Sequence, residues 1–293
     1  MILTYTIEEV TPYLNWVYFF HAWGFQPKFA AIVQIHGCDA CRAMWLASFP
    51  ESERLKASEA MQLHKEALRT LQKLKNEWKL QSLFRLCEAN ADGDDIWIEG
   101  IRFPLLRQQS PSSADAPCLC LSDFIRPKST GVTDRIGLFA SSVSLPDEDR
   151  YKNDDAYLHL LIQTLSDRLA EAVTEKMHEY VRKTAWGYAF NEQLSIAEML
   201  VEKFQGIRPA VGYPSLPDQS VNFLLDQLLD MKKIGITLTE NGAMQPHASV
   251  SGLMIAHPEA RYFNIGSIGD DQIKDYAERR GFSIKEIQKF LRR

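Results

Sequence analysis

SLFRLCEANADGDDIWIEGI, residues 82–101, decides the class of fold. It reads as two strands around an Asp/Gly turn centred on Asp92-Gly93, since glycine supplies the backbone that a tight hairpin needs. Working outward, short strand-like runs follow at 102–107, 118–125 and 135–143, interrupted by the Ser/Pro-rich loop SPSSADAP. Upstream, Ala60, Met61, His64, Ala67, Leu68, Leu71 and Leu74 recur at helical spacing and predict a long amphipathic helix over about 53–79. A second long helix is predicted over about 154–182, with Leu158, Leu161, Leu165, Leu169, Val173, Met177 and Tyr180 on its buried face. Ser195 and Glu198 form a capping box that opens another helix towards Phe204. A helix near 221–233 precedes strand-like runs at 236–240, 249–256 and 261–267. Two short helices close the chain: Asp270 or Asp271 can cap the first, Gly281 ends it, and Ser283 with Glu286 opens the second. Strands thus arrive in clusters with helices between the clusters. That pattern predicts an α+β fold with a twisted, largely antiparallel sheet, not a doubly wound nucleotide-binding fold. PDEDRYKNDD (146–155) is charged and turn-prone enough for a domain boundary, but the halves look thin as separate cores, and one domain over 1–293 is expected.

Composition narrows the function classes. Over 293 residues the chain is 45% hydrophobic and 24% charged, the make-up of an ordinary globular protein. A formal net charge of −5, with basic and acidic residues interspersed, argues against nucleic acid as the main partner. No apolar stretch approaches the roughly 18 residues needed to cross a bilayer, so no membrane role is expected. The N-terminus lacks a secretory layout, and five irregularly spaced cysteines suggest reduced thiols and a cytoplasmic setting.

The sequence lacks a G-x-G-x-x-G after a strand, a Walker loop, H-E-x-x-H and G-x-S-x-G, so the motifs of common NAD, ATP, zinc-peptidase and serine-hydrolase chemistry are missing. HGCDAC (36–41) combines a C-x-x-C with His36. Three soft ligands, His36, Cys38 and Cys41, begin a zinc site, yet a structural site needs four, and no metal is assigned. A redox pair or an incidental turn with buried thiols fits the same residues.

GIRPAVGYPSLPDQS (206–220) is stiffened by Pro209, Pro214 and Pro217, and holds Arg208, Tyr213 and Asp218 in an extended loop. On the second long helix Asp167, Glu171 and Glu175 fall four residues apart, along one face. The plainer reading is a solvated face neutralised by Arg168 and Lys176. The sharper one is that carboxylates of this face, joined by Glu202, meet a bound cation while Arg208 takes a carboxylate in a bidentate fork. A zwitterion with an extra positive centre, such as S-adenosylmethionine, suits that set, and Ala210 would offer its carbonyl and amide to the purine.

RPAVGYPSLPD, with DRLAEA (167–172), HEYVRKTAWGY (178–188), LTENGAMQPHASVSGL (238–253) and YFNIGSIGDDQIKDYAERRG (262–281), resembles the activation domain of cobalamin-dependent methionine synthase. YLNWVYFFHAW (13–23), GDDIWI (93–98), LRQQ (106–109) and CLSDFIRPKSTGVTDRIGLFA (120–140) resemble it too. The resemblance implies a single C-shaped α+β domain that binds S-adenosylmethionine in a shallow groove. Its implied work is repair: it presents the methyl group to inactive cob(II)alamin, carried by the cobalamin-binding modules of methionine synthase, while flavodoxin or a related reductase supplies an electron.

Carried over by position, the resemblance implies that Arg208 holds the ligand carboxylate. Ala210 and Tyr262 would meet the adenine, with Phe263 beside Tyr262. Asp167, Glu171 and Glu202 would surround the sulfonium, and Tyr213 would be the tyrosine of the Gly-Tyr-Pro turn. No catalytic residue is implied. Three positions depart from the pattern: Asn15 stands where the family has a ligand-contacting aspartate, Gln219 where it has a histidine, and Phe263 where it has a second tyrosine. Residues 28–52 do not resemble it. No cobalamin-binding D-x-H-x-x-G is found, which leaves an excised fragment or a separate subunit; the methionine start and the unusual 28–52 segment favour a separate subunit acting in trans, with the apolar stretch HGCDACRAMWLASF as part of its interface. Repair of another corrinoid methyltransferase, or a docking or sensing module that has lost the ligand, are the alternatives.

Overall fold

The computed structural model describes residues 1–111, 113, 116–146 and 155–291. At its centre β5 (Asp134–Ser144) alternates its side chains between two cores. Ile136, Leu138 and Ala140 face one hydrophobic cluster, while Phe139 and Val143 face the other. A strand apolar on both faces belongs inside a sheet covered on both sides. β5 pairs along its whole length with β2 (Lys79–Asp92), from Lys79 opposite Ser144 to Ala89 opposite Asp134. Ser82 and Ser141 lie opposite each other, and their buried hydroxyls satisfy one another at 2.8 Å.

All pairings of this six-stranded sheet are antiparallel. β1 (Ile2–Tyr5) and β3 (Asp95–Ile98) share the outer edge of β2, one at each end. β4 (Ile101–Pro104) follows β3, and beyond a small two-stranded pair, β6 (Thr237–Leu238) and β7 (Met244–Gln245), the strand β8 (Ser249–Met254) completes the sheet beside β5. The hairpin read from 82–101 is present: Asp92 pairs with Asp95, so its two-residue loop is Gly93-Asp94, one position later than the sequence suggests. The next hairpin turns through Glu99 and Gly100, both at positive φ (47° and 85°), as a two-residue loop of that hand requires.

Helices α1 (Ile7–Val10), α2 (Trp16–Ala22), α3 (Asp39–Ala47) and α4 (Glu51–Lys73) join α5 (Ala156–Tyr180) on one face of the sheet. α5 is capped by Asp155, whose carboxylate accepts the Leu158 N–H, and it buries Leu161, Leu165, Leu169, Val173 and Met177. α6 (Ile196–Met199) is a single turn held by the predicted Ser195–Glu198 capping box. α7 (Val221–Leu229) covers the other face, and α8 (Asp270–Arg280) packs with α9 (Ile284–Phe290) on a third cluster.

Five local readings are corrected. Residues 118–125 hold a 3-10 turn, Leu121–Phe124, and no strand; Asp123 reaches back to the Cys120 N–H and grips Arg107. Residues 261–267 form no strand either, because their polar groups go elsewhere: the Ile265 N–H to Pro214, the Asn264 carbonyl to Gln108. The helix after 195 stops at Met199 and does not run towards Phe204. α7 stops at Leu229 because Asp230 takes a left-handed conformation, and a 3-10 turn follows. Gly269, not an aspartate, stands at the N-cap of α8, and Asp271 accepts a hydrogen bond from Gln109 instead. The boundary considered at 146–155 lies almost wholly outside the described residues.

Candidate functional site

The proline-stiffened segment at 206–220 is an appendage of the sheet. Ile207 and Ile255 exchange N–H···O bonds at 2.9 Å, the Leu253 N–H donates to the Pro209 carbonyl at 3.0 Å, and the Val211 N–H donates to the Ser251 carbonyl at 2.8 Å. Residues 207–211 therefore extend the sheet edge beside β8. This approach needs Gly252, since a Cβ there would lie 2.2 Å from the Pro209 carbonyl oxygen. In an antiparallel edge, alternate residues turn their amides away from the partner. Ala210 is such a residue. It stands opposite Gly252 between the bonded positions 209 and 211, so its amide faces outward, and its carbonyl accepts the Tyr213 N–H at 3.2 Å.

The outward side of this edge is the wall of a groove of about 650 Å³, of the size that takes a small organic ligand. Six parts of the chain converge on it. Tyr13, at the end of the 3-10 turn Thr11–Tyr13, joins Asn15 and Tyr18 from the start of α2, while Arg168, Glu171 and Glu175 come from consecutive turns of α5. Glu202 follows α6, Arg208 to Ser215 come from the edge segment, Val250 comes from β8, and Tyr262 to Asn264 close the groove.

Arg208 is nearly buried and anchored on two sides. Its Nη2 donates to Glu175 Oε2 at 2.8 Å, and its backbone N–H donates to the Tyr262 hydroxyl at 2.9 Å. Burial by itself would weaken the guanidinium's hold on its proton, but Glu175 and Tyr262 more than reverse this. The Glu175 Oε1 is buried without a hydrogen-bond partner, so the groove holds an acceptor waiting for a donor. Glu171 Oε1 accepts from the Tyr213 hydroxyl at 2.6 Å, and burial with that carboxylate raises the phenol's pKa. Tyr262 is pushed up to about 12, by burial first, with Arg208 opposing. Glu202 stands in the left-handed region at φ 59°, where a non-glycine residue is strained. Its carboxyl is raised above the usual range by desolvation, against the pull of Arg208.

Beneath the groove His178 and Arg182 are fully buried. Arg182 pairs with Glu192 at 2.6 Å, stacks 4.2 Å from the centre of the Phe204 ring, and donates to His178 Nδ1 at 2.9 Å. Desolvation, then Arg208 and Arg182, hold His178 well below its usual pKa, so it is neutral.

Of the residues singled out from the sequence, Asn15, Glu171, Glu202, Arg208, Ala210, Tyr213, Tyr262 and Phe263 all line this groove. Asp167 does not: it lies one turn before Glu171 on α5, where His247 Nδ1 approaches it at 3.1 Å. Arg168 lines the groove as well, whereas Lys176 sits over the rings of Tyr5 and Tyr13. Tyr13, Tyr18, Met199, Ser215 and Asn264 were not anticipated. Nothing in their local spacing marks them, since they reach the groove only through the tertiary fold.

An open, carboxylate-lined groove with one anchored arginine in an α+β protein has the make-up of a site for a charged small molecule. The family model for the activation domain of vitamin B12 dependent methionine synthase matches residues 6–281. The chain belongs to that family. The chain is similar to the crystal structure of the MetH reactivation domain bound to AdoHcy. That domain is 35% identical, with a TM-score of 0.86, and the match covers 99% of this chain and 88% of that one.

Proposed function

We propose that this groove binds S-adenosylmethionine and presents its methyl group for the reductive remethylation of cob(II)alamin in methionine synthase. The protein would do so as a separate cytoplasmic subunit, acting in trans on the cobalamin-binding modules with flavodoxin or a related reductase as electron donor. The observation that carries the reading is Arg208, anchored on Glu175 in a groove whose lining also carries Glu171 and Glu202, with Arg168 as its second cation. Two of the five guanidinium N–H donors are engaged, by Glu175 Oε2 and the Thr174 carbonyl, and the others remain for a ligand carboxylate. The unpartnered Glu175 Oε1 suits the ligand's ammonium, Glu171 and Glu202 suit its sulfonium, and the Ala210 amide suits a purine acceptor. AdoHcy, found in the related reactivation domain, is the demethylated form of the same molecule.

The chain's own contribution is positional. A methyl sulfonium is already an activated donor, so no general base is called for, and the groove works by holding the methyl group in one place. The partner's cobalt, reduced by one electron, supplies the nucleophile. Glu171 and Glu202 stabilise the cationic ground state, so they orient the methyl without driving its transfer.

Calorimetric titration with S-adenosylmethionine and with AdoHcy tests the groove. Saturable binding of both is expected, and no binding at millimolar ligand would move a docking role to the front. Methyl transfer to a cobalamin-bearing fragment of methionine synthase, in the presence of reductase, tests the action in trans. Transfer only to a different corrinoid protein would redirect the proposal to that client.

A further inference from the structure

A second constellation of reactive side chains lies away from the groove, in the stretch that leads into α3. The 3-10 helix Pro27–Gln34 and α3 are joined by Ile35 to Cys38, and Cys38 is the N-cap of α3. Its sulfur accepts the Cys41 N–H at 3.3 Å and lies 2.8 Å from the Cys41 sulfur, with which it shares a hydrogen bond. A ring nitrogen of His36 completes the group: all three ligand atoms lie within 4.8 Å of one another. Both thiols are free and half-buried, and His36 is exposed. None of the three lines the groove.

The third member separates the possible readings. An incidental turn brings two cysteines of a C-x-x-C together but gives no reason for an imidazole to converge on them. A redox pair requires only the two sulfurs. Two thiolates and one imidazole are the donor set of borderline divalent metals. The exposed side of the cluster leaves a fourth position to solvent. Arg42 lies nearby, its guanidinium 3.7 Å from where a Gly37 side chain would begin, but Asp39 is 3.8 Å from it and offsets its charge. We propose that His36, Cys38 and Cys41 form a three-ligand site for a divalent cation of the zinc class, with its fourth position taken by water. Metal–sulfur bonds of about 2.3 Å in a tetrahedron would spread the sulfurs to roughly 3.7 Å, an opening of about 1 Å that a linker between two helical pieces accommodates. The cation would then clip the start of α3 to the end of the preceding 3-10 helix.

The probe is cobalt(II), titrated into the metal-stripped full chain kept reduced with a phosphine, and read by thiolate-to-cobalt charge-transfer absorption. The expected result is one cobalt per chain, displaced by zinc. The band should vanish in Cys38→Ser and Cys41→Ser and persist in Cys118→Ser. In His36→Ala the affinity should fall roughly tenfold or more, since two ligands replace three. Zinc should raise the melting temperature of the wild type and leave that of Cys38→Ser unchanged, because only a folded site gains from the ligand. No band at millimolar cobalt, or a band that survives both cysteine substitutions, overturns the proposal. So does a reduced protein that binds no metal but forms a Cys38–Cys41 disulfide with glutathione disulfide, two thiols losing two electrons and two protons to yield two glutathione thiols. That outcome makes the pair a redox couple.

Discussion

Arg208 is held from both sides before any ligand arrives, by the carboxylate of Glu175 and by the hydroxyl of Tyr262 on its backbone. Arg208→Ala should therefore weaken S-adenosylmethionine binding by about tenfold or more, the loss of a charge-assisted pair of ~1.5–3 kcal/mol. That substitution also strands Glu175 in a nearly dry site. The companion variant Arg208→Ala/Glu175→Gln removes the stranded charge and should recover stability while binding stays weak. Wild-type affinity in either variant would show that Arg208 is an internal strut only. Asn15 supplies the opposite test. Its Oδ1 caps α2 by accepting the Tyr18 N–H, and its side chain lines the groove where the family pattern has an aspartate. Asn15→Asp keeps a capping oxygen, adds a charge that suits a helix N-terminus, and should tighten binding by ~1–2 kcal/mol if it reaches the ligand ammonium. Unchanged affinity on calorimetry would place the ammonium elsewhere. Most of the groove's residues were legible in the sequence because ordered motifs carried them. Glu175 was visible only as part of a charged stripe: four-residue spacing puts Asp167, Glu171 and Glu175 on one face, but not which turns of α5 meet the groove.

At the scale of elements, the groove depends on a seam between the segment 207–211 and β8. Ile207, Pro209 and Val211 make the ladder hydrogen bonds, and Gly252 lets the two backbones close. Gly252→Ala would force a carbon into the Pro209 carbonyl and towards Phe139, which is 3.0 Å from the same point. The edge segment must then move outward and take Arg208 and the Ala210 amide with it. Overpacking of this kind should cost about 1–3 kcal/mol in a denaturant melt, and ligand binding should fall with it. A variant that melts early yet binds normally would show that the seam supports the fold and not the groove. The prolines announced an extended segment in the sequence, but its partner strand, some forty residues later, did not show. The same limit explains 118–125 and 261–267, where apolar residues and short length read as strands. Whether such a run joins a ladder depends on a neighbour with free backbone groups, which local pattern does not reveal. Long elements were legible because their buried stripes repeat many times, as along α4 and α5.

At the scale of the molecule, the clustering of strands correctly implied an α+β protein with an antiparallel sheet, and the structure shows that sheet with a hydrophobic core on each face. Dryness of that degree leaves its mark on two histidines, of which the sequence marked only His64 as part of a helix face. His64 on α4 packs edge-on against Trp16, ring centres 4.7 Å apart, and burial lowers its pKa to about 4. His178 on α5 is held well below its usual value by desolvation and by Arg208 and Arg182; its Nε2 has no partner, and its Nδ1 takes a hydrogen bond from Arg182. Both groups bind a proton more readily in the unfolded chain, where histidine titrates near ~6.5. Stability is therefore fully present above that pH and is lost as pH falls towards the folded-state values, with a limiting slope of about 1.4 kcal/mol per pH unit for each histidine. Carboxylates held below their usual range, such as Glu9 and Glu286, add loss of the same sign only near and below their ordinary values, whereas Glu202, held above its range, acts in the opposite sense from its ordinary value upward. From about pH 6 down to 5 the two histidines act together against that single carboxyl. Denaturant melts across that interval should show the stability dropping, and His64→Leu, which fills the aromatic pocket with an apolar group, should remove about half of the slope. A wild-type protein equally stable at both ends would mean that water reaches these imidazoles and that the helical layer over the sheet is looser than its packing indicates.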